Sequence, residues 1–145
     1  MSRKIIITGC TSGIGKSLLT KLLKDKKNYI IGICRDPKKI ENISIKHRNN
    51  LKIIKCDLLN LKDLKDLIKE LKKISNINIL INNCGSLFFD KKEIFDGIYE
   101  TMFLNTFVPM ILSLEIKKNF EMKTKNLVIN IGSNAYKLYS IKEDE

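Results

Sequence analysis

The chain has 145 residues, with 27 Lys+Arg against 16 Asp+Glu, a formal net charge of +11 and 43% hydrophobic residues. That length holds one domain with a buried core and is too short for two, and the apolar fraction is that of a globular chain rather than a disordered one. No apolar run approaches the roughly 18–20 residues that span a bilayer. Met1-Ser2-Arg3-Lys4 leads into three isoleucines and then a turn, unlike a secretory leader, so a cytoplasmic protein without membrane partners is expected. The basic excess does not mark a nucleic-acid surface. Of the 27 cations 24 are lysine, and they alternate with acids, as in Lys62-Asp63-Leu64-Lys65-Asp66, instead of clustering with aromatic residues.

Five short runs, residues 4–8, 29–34, 51–56, 77–82 and 126–131, are rich in Ile or Val and nearly continuous, which predicts parallel strands covered on both faces. Helical spacing lies between them. Ile14, Leu18, Leu19, Leu22 and Leu23 form one stripe, and Leu61, Leu64, Leu67, Ile68, Leu71 and Ile74 form a second. Asn60 followed by Asp63 predicts a cap for that second helix, as a loose capping box. Residues 90–122 are expected to hold a short turn and then the longest helix, with Met102, Phe103, Phe107, Met110, Ile111 and Leu114 apolar. Strands alternating with helices imply a single doubly wound parallel α/β layer with right-handed crossovers. Only residues 134–145 have no clear place in it.

The first strand runs into Thr8-Gly9-Cys10-Thr11-Ser12-Gly13-Ile14-Gly15, and a helix starts at once. Gly9 permits a tight turn, Gly13 lets the backbone approach a pyrophosphate, and Gly15 lets the helix pack close to the sheet, with the helix N-terminus facing the anion. Between a strand and a helix at the start of an α/β domain, this pattern predicts a dinucleotide site.

The spacing T-G-x-x-x-G-x-G, together with Asp57 after the third strand, Asn82-Asn83-Cys84-Gly85 after the fourth, Asn105 in the long helix and Asn130-Ile131-Gly132-Ser133 after the fifth, resembles the short-chain dehydrogenase/reductase family over its N-terminal portion. The resemblance implies a three-layer Rossmann-like fold with about five strands in the order 3-2-1-4-5. It also implies hydride transfer between a nicotinamide cofactor and a small carbonyl or alcohol substrate. Thr8, Gly9, Thr11, Ser12, Gly13, Ile14 and Gly15 would hold the cofactor phosphates, Asp57 and Leu58 the adenine, and Asn83, Cys84 and Gly85 the adenosine ribose. Ser133 would hydrogen-bond the substrate carbonyl. Asn105 would hold a water of the proton relay through its backbone carbonyl, which Pro109, lacking an N–H, leaves without its helical partner. The family allows a homo-oligomer formed through the long helix; in the incomplete product of a split or frameshifted gene, the Met102, Phe107 and Ile111 face of that helix is expected to be exposed and the fifth strand to be an unpaired edge.

At the end of the second strand, NAD calls for a carboxylate and NADP for a cation. Cys34 occupies the carboxylate position and Arg35 follows, which favours NADP; Asp36 keeps NAD open if the register slips. The family's Tyr-x-x-x-Lys motif is missing: Tyr136 has Ser140 four residues on and Tyr139 has Glu143. Its expected position falls at or beyond Glu145, so the chain reads as a catalytically incomplete fragment of the enzyme. The alternatives are a non-catalytic nucleotide-binding module and the product of a split or frameshifted gene. Cys10, Cys34, Cys56 and Cys84 show no metal or redox spacing, yet each ends one of the first four strands; Cys10 is expected to be the thiol most exposed to a helix N-terminus. No metal site is predicted.

Overall fold

The structure is a computed structural model that describes residues 3–90 and 92–133. Five parallel strands form the main sheet: β1 (Arg3–Thr8), β2 (Asn28–Cys34), β3 (Leu51–Lys55), β4 (Ile77–Asn82) and, past a small hairpin, β7 (Leu127–Asn130), in the order β3-β2-β1-β4-β7. That is the expected 3-2-1-4-5 order, with the fifth strand of the sheet falling seventh in the chain. Helix α1 (Gly13–Leu22) follows β1, α2 (Glu41–Lys46) follows β2 after a 3-10 turn at Pro37–Ile40, and α3 (Leu61–Leu71) follows β3.

The continuous isoleucine runs make sense as two-sided strands. Ile5, Ile7, Ile30, Cys34 and Ile81 pack with Leu19 and Leu23 of α1 on one face of the sheet. Ile6, Ile31, Ile33 and Leu80 pack with Leu64, Leu67 and Leu71 of α3 on the other. Alternate side chains of one strand thus feed two cores, so polar alternation never develops. Ile14, placed in the α1 stripe by its spacing, is 66% exposed: it sits in the first turn, beyond the edge of the sheet that its stripe covers.

Asn60 caps α3 as expected, its side chain accepting the N–H groups of Lys62 (2.9 Å) and Asp63 (3.1 Å). The Asp63 carboxylate does not return to Asn60 as a capping box would; it accepts the N–H of Asp57 at 3.2 Å and so ties the helix to the strand end before it. Two lysines on this helix meet one acid: Asp66 accepts from both Lys62 and Lys69, and those contacts hold its carboxyl below the ordinary range. Such exposed pairs contribute little stability.

The segment expected to be a turn is a hairpin, β5 (Glu93–Phe95) with β6 (Ile98–Tyr99). Asp96 and Gly97 both have positive φ, 45° and 74°, the conformation that Asp-Gly favours between two strands. The long helix that follows is not uniform: α4 (Glu100–Met102) runs through a π-helical turn at Phe103–Phe107 into α5 (Val108–Ile116). The widened turn ends just before Pro109, where an N–H is missing from the ladder. It also rotates the helix faces. Met102 is exposed as expected, but Phe107 and Ile111 pack against the core, and Met110 and Leu114 take their place as the exposed apolar residues of α5. On β7 Leu127, Val128 and Ile129 are all exposed among the described residues. Among the described residues no helix is long and apolar enough to cross a membrane. Residues 134–145, with Tyr136, Tyr139 and Lys142, lie outside the described residues.

Replacing Asn60 with Ala should lower the unfolding free energy by about 1 kcal/mol, read as a shifted urea midpoint. An unchanged midpoint would mean that the cap contributes nothing to α3.

Candidate active site

The C-terminal ends of the parallel strands open on one cleft of about 1310 Å³. Gly9, Thr11, Ser12, Gly13, Ile14 and Gly15 line it from the β1–α1 loop, Arg35 from the end of β2, and Asp57 and Leu58 from the end of β3. Asn83, Cys84 and Gly85 line it after β4, Asn105 from the π turn and Ser133 after β7. Six separated stretches of sequence therefore meet at one place, the edge where open α/β sheets bind ligands.

The glycine loop has the backbone its sequence requires. Gly9 has φ +68° and Gly13 +49°, both in the left-handed region that favours glycine. A side chain at Gly15 would strike the Gly9 carbonyl oxygen and the Asn83 amide, so α1 sits against the sheet at a distance only glycine allows. Around Gly13 there is open space.

Thr8, expected among the phosphate-binding residues, does not line the cleft. Its side chain is buried, and its hydroxyl accepts the N–H groups of Asn83 (3.1 Å) and Cys84 (2.9 Å). The Asn83 amide in turn donates to the carbonyls of Thr8 (3.0 Å) and Gly9 (3.1 Å). β4 is thereby bolted to the glycine loop. Asn105 makes a paired contact with Ser86, donating to its carbonyl at 2.7 Å and accepting its N–H at 3.0 Å. Its side chain is thus committed to holding the loop after β4, which leaves the backbone carbonyl as its group for further binding. Asp57 accepts the N–H of Leu59 at 3.1 Å, which shapes the turn that presents Leu58.

β2 ends at Cys34 as the sequence predicts, and the exposed Arg35 stands next in the chain with no ion pair among the described residues. Asp36 accepts the N–H of Lys38 at 3.1 Å and caps the 3-10 turn. Lys39, which the sequence reading passed over, also lines the cleft; the Asp-Pro start of a helical turn just after β2 was the signal that the chain doubles back there. Also passed over is a polar network under the site, in which the Asn82 amide donates to Asn130 Oδ1 (2.8 Å) and Ser113 Oγ (3.4 Å).

The cysteines correct one expectation. Cys10 is buried rather than exposed to the helix N-terminus, and its contact with Cys34 together with burial pushes its thiol above the ordinary range. Burial likewise pushes Cys56 up to about 12 and raises Cys84. The described residues hold no group of ligands suited to a metal ion.

The comparisons with known proteins agree with this architecture. The family model for short chain dehydrogenases matches residues 3–142, and the chain belongs to that family. Benzil reductase ((S)-benzoin forming) of Bacillus cereus is 31% identical over 93% of this chain and 58% of its own length. The NADP-dependent 3-hydroxy acid dehydrogenase of Schizosaccharomyces pombe is 29% identical over 92% of this chain and 54% of its own. Among solved structures, the bulky-bulky ketone specific alcohol dehydrogenase of Comamonas testosteroni superposes with TM-score 0.74 at 26% identity, covering 92% of this chain and 55% of that one. The chain spans about half the length of the curated relatives it matches.

Thr8→Val keeps the shape of the side chain but strands two N–H groups, and should cost about 1–3 kcal/mol of stability. Thr8→Ser retains the acceptor and should recover most of it. Equal urea midpoints for the Val and Ser variants would contradict the bolt.

Proposed function

We propose that the cleft binds a nicotinamide adenine dinucleotide, NADP(H) in preference to NAD(H), and that this chain is the cofactor-binding part of an oxidoreductase acting on a small carbonyl or alcohol. One observation carries the proposal. At the start of α1, Ser12 makes no side-chain capping bond and the first turn contains no acidic residue. The starts of α3 and the 3-10 turn, by contrast, are closed by Asn60 and Asp36. The positive end of a ten-residue helix thus faces the cleft, its N–H groups without a capping side chain, beside glycines that leave room for an anion.

The residues present fit the dinucleotide. The β1–α1 loop would hold the pyrophosphate, the turn at Asp57 and Leu58 the adenine, and Asn83 to Gly85 the adenosine ribose. The preference for NADP rests on the end of β2, where Cys34 offers no carboxylate to a ribose hydroxyl and Arg35 offers a guanidinium suited to a phosphate. Asp36 is engaged as a cap, which weakens the NAD alternative. A relative named for NADP dependence matches 92% of the chain.

When bound, the nicotinamide supplies or accepts the hydride. Ser133 would hydrogen-bond the substrate carbonyl from the end of β7, and the Asn105 carbonyl would hold a water for proton transfer. The 145 residues contain no Tyr-x-x-x-Lys, so they supply no positioned tyrosine acid, a group worth about 10²–10⁴ in rate. That favours, for this polypeptide, binding without appreciable turnover.

NADPH should bind more tightly than NADH, and Arg35→Ala should weaken NADPH roughly 10–100-fold, the equivalent of about 1.5–3 kcal/mol for a charge-assisted contact, while leaving NADH nearly unchanged. Isothermal titration checks this; equal affinities for the two cofactors with no loss in the variant would contradict the NADP preference. In the same preparations ketone-dependent NADPH oxidation should stay at background, and ordinary reductase rates would contradict the assignment of this polypeptide as catalytically incomplete.

A further inference from the structure

Two of the four cysteines form a pair that the cofactor reading leaves unused. Residues 30, 32 and 34 of β2 share a face, and Cys10 and Cys34 belong to the same core cluster with α1, whereas Cys56 and the partly buried Cys84 pack on the opposite face. The sulfur of Cys10 fills the space over Gly32: a side chain there would come within 2.8 Å of it. The Cys10 sulfur also lies 3.8 Å from the carbonyl oxygen of Ile33, the residue just before Cys34.

The strand pairing brings the two residues close. β1 and β2 are paired up to Thr8 and Ile33, and Gly9 still donates to the Ile33 carbonyl at 2.9 Å. Continuing that ladder, Gly9 stands opposite Cys34 on chains that run about 4.8 Å apart, and Cys10 is the next residue, which brings it near the range of Cα separations that a disulfide spans. Only Cys34 of the two lines the cleft, from which a small solute can reach it; Cys10 lies behind it, fully buried.

We propose that Cys34 is a peroxide-reactive thiol and Cys10 its resolving partner, so that a hydroperoxide converts the pair into a disulfide joining the glycine loop to the end of β2. In the first step the Cys34 thiolate attacks the peroxide oxygen, the O–O bond breaks, Cys34 becomes a sulfenic acid and hydroxide (or alkoxide) leaves. In the second the Cys10 sulfur attacks the Cys34 sulfur, the S–O bond breaks, and the Cys10 proton leaves with the hydroxyl as water. The two thiols are oxidised and the peroxide is reduced.

The local chemistry matches these roles. Contact with the Cys10 sulfur holds Cys34 below the ordinary thiol range, while the same contact and burial push Cys10 above it. The attacking sulfur is thus the more ionised one, and the resolving sulfur keeps its proton until the sulfenic acid forms. The disulfide would draw the Cys34 sulfur from the cleft wall beside Arg35, on the adenosine side of the proposed cofactor site.

The test uses the 145-residue protein with hydrogen peroxide as the probe and no nucleotide present, so that its outcome is independent of the cofactor assignment. Non-reducing peptide mapping should recover Cys10 linked to Cys34, with the mass of two hydrogens lost and restored by dithiothreitol. In Cys10→Ser the link should be replaced by a Cys34 sulfenic acid that a 1,3-diketone traps, and in Cys34→Ser neither product should form at Cys10. Far-ultraviolet circular dichroism of both variants verifies that the sheet is retained. Recovery of Cys34 as a free thiol in wild type, its direct passage to sulfinic acid, or a link through Cys56 or Cys84 instead would each overturn the proposal.

Discussion

The approach of α1 to the sheet governs the rest of the molecule. At Gly15 the helix backbone lies so close to the Gly9 carbonyl and the Asn83 amide that no side chain can stand between them. Three elements from distant parts of the chain are fixed by that one contact: the end of β1, the start of α1 and the end of β4. Asn83 closes it from below by donating to two successive carbonyls, and Thr8 closes it from behind by accepting two successive N–H groups. A polar turn that would otherwise be a mobile loop becomes a rigid cradle, with the helix N-terminus held at its mouth. Rigidity matters here because an anion site built from backbone N–H groups loses affinity when those groups must be ordered on binding.

The same economy appears in how the chain treats its helix ends. α3 and the 3-10 turn after β2 are closed by their own side chains, and each cap also shapes the cleft. Asp63, just inside α3, holds the Asp57 N–H, and Asp36 folds the chain back so that Arg35 and Lys39 border one opening. α1, like α2 and α4, has no side-chain cap, but it begins at the glycine loop, at the place where a phosphate would complete it. The +11 charge has little part in this. Among the described residues five lysines meet acids, and the cation that counts in the proposed site is the arginine that follows β2.

Most of the architecture was legible because the signals were redundant. Each strand of the main sheet was marked by an Ile or Val run with a polar or glycine boundary, and α3 by both its leucine spacing and its cap. The glycine loop was legible for a stronger reason: its glycines answer steric demands that no other residue meets. Other features escaped. The Asp96-Gly97 hairpin carried a local turn signal that was absorbed into a longer apolar segment. The π turn changes helix phase by an amount that a 3.6-residue period cannot anticipate, so Phe107 and Ile111 turned inward and Met110 and Leu114 outward. Thr8 looked like part of a binding motif because it is contiguous with one, yet its hydroxyl serves the neighbouring strand. Cys10 was misplaced for a related reason: position in a loop says nothing about which way a side chain turns, and the empty space over Gly32 drew its sulfur inward.

The central claim is that the uncapped start of α1 and the glycine loop together form the seat of a dinucleotide pyrophosphate. It is tested most directly by titrating isotopically labelled protein with NADPH and following backbone amide resonances. The account predicts the largest shifts at Gly13, Ile14 and Gly15, with further shifts at Arg35 and Leu58 and little change along α3. Shifts concentrated on the α3 surface, or a spectrum left unmoved by saturating NADPH, would contradict it.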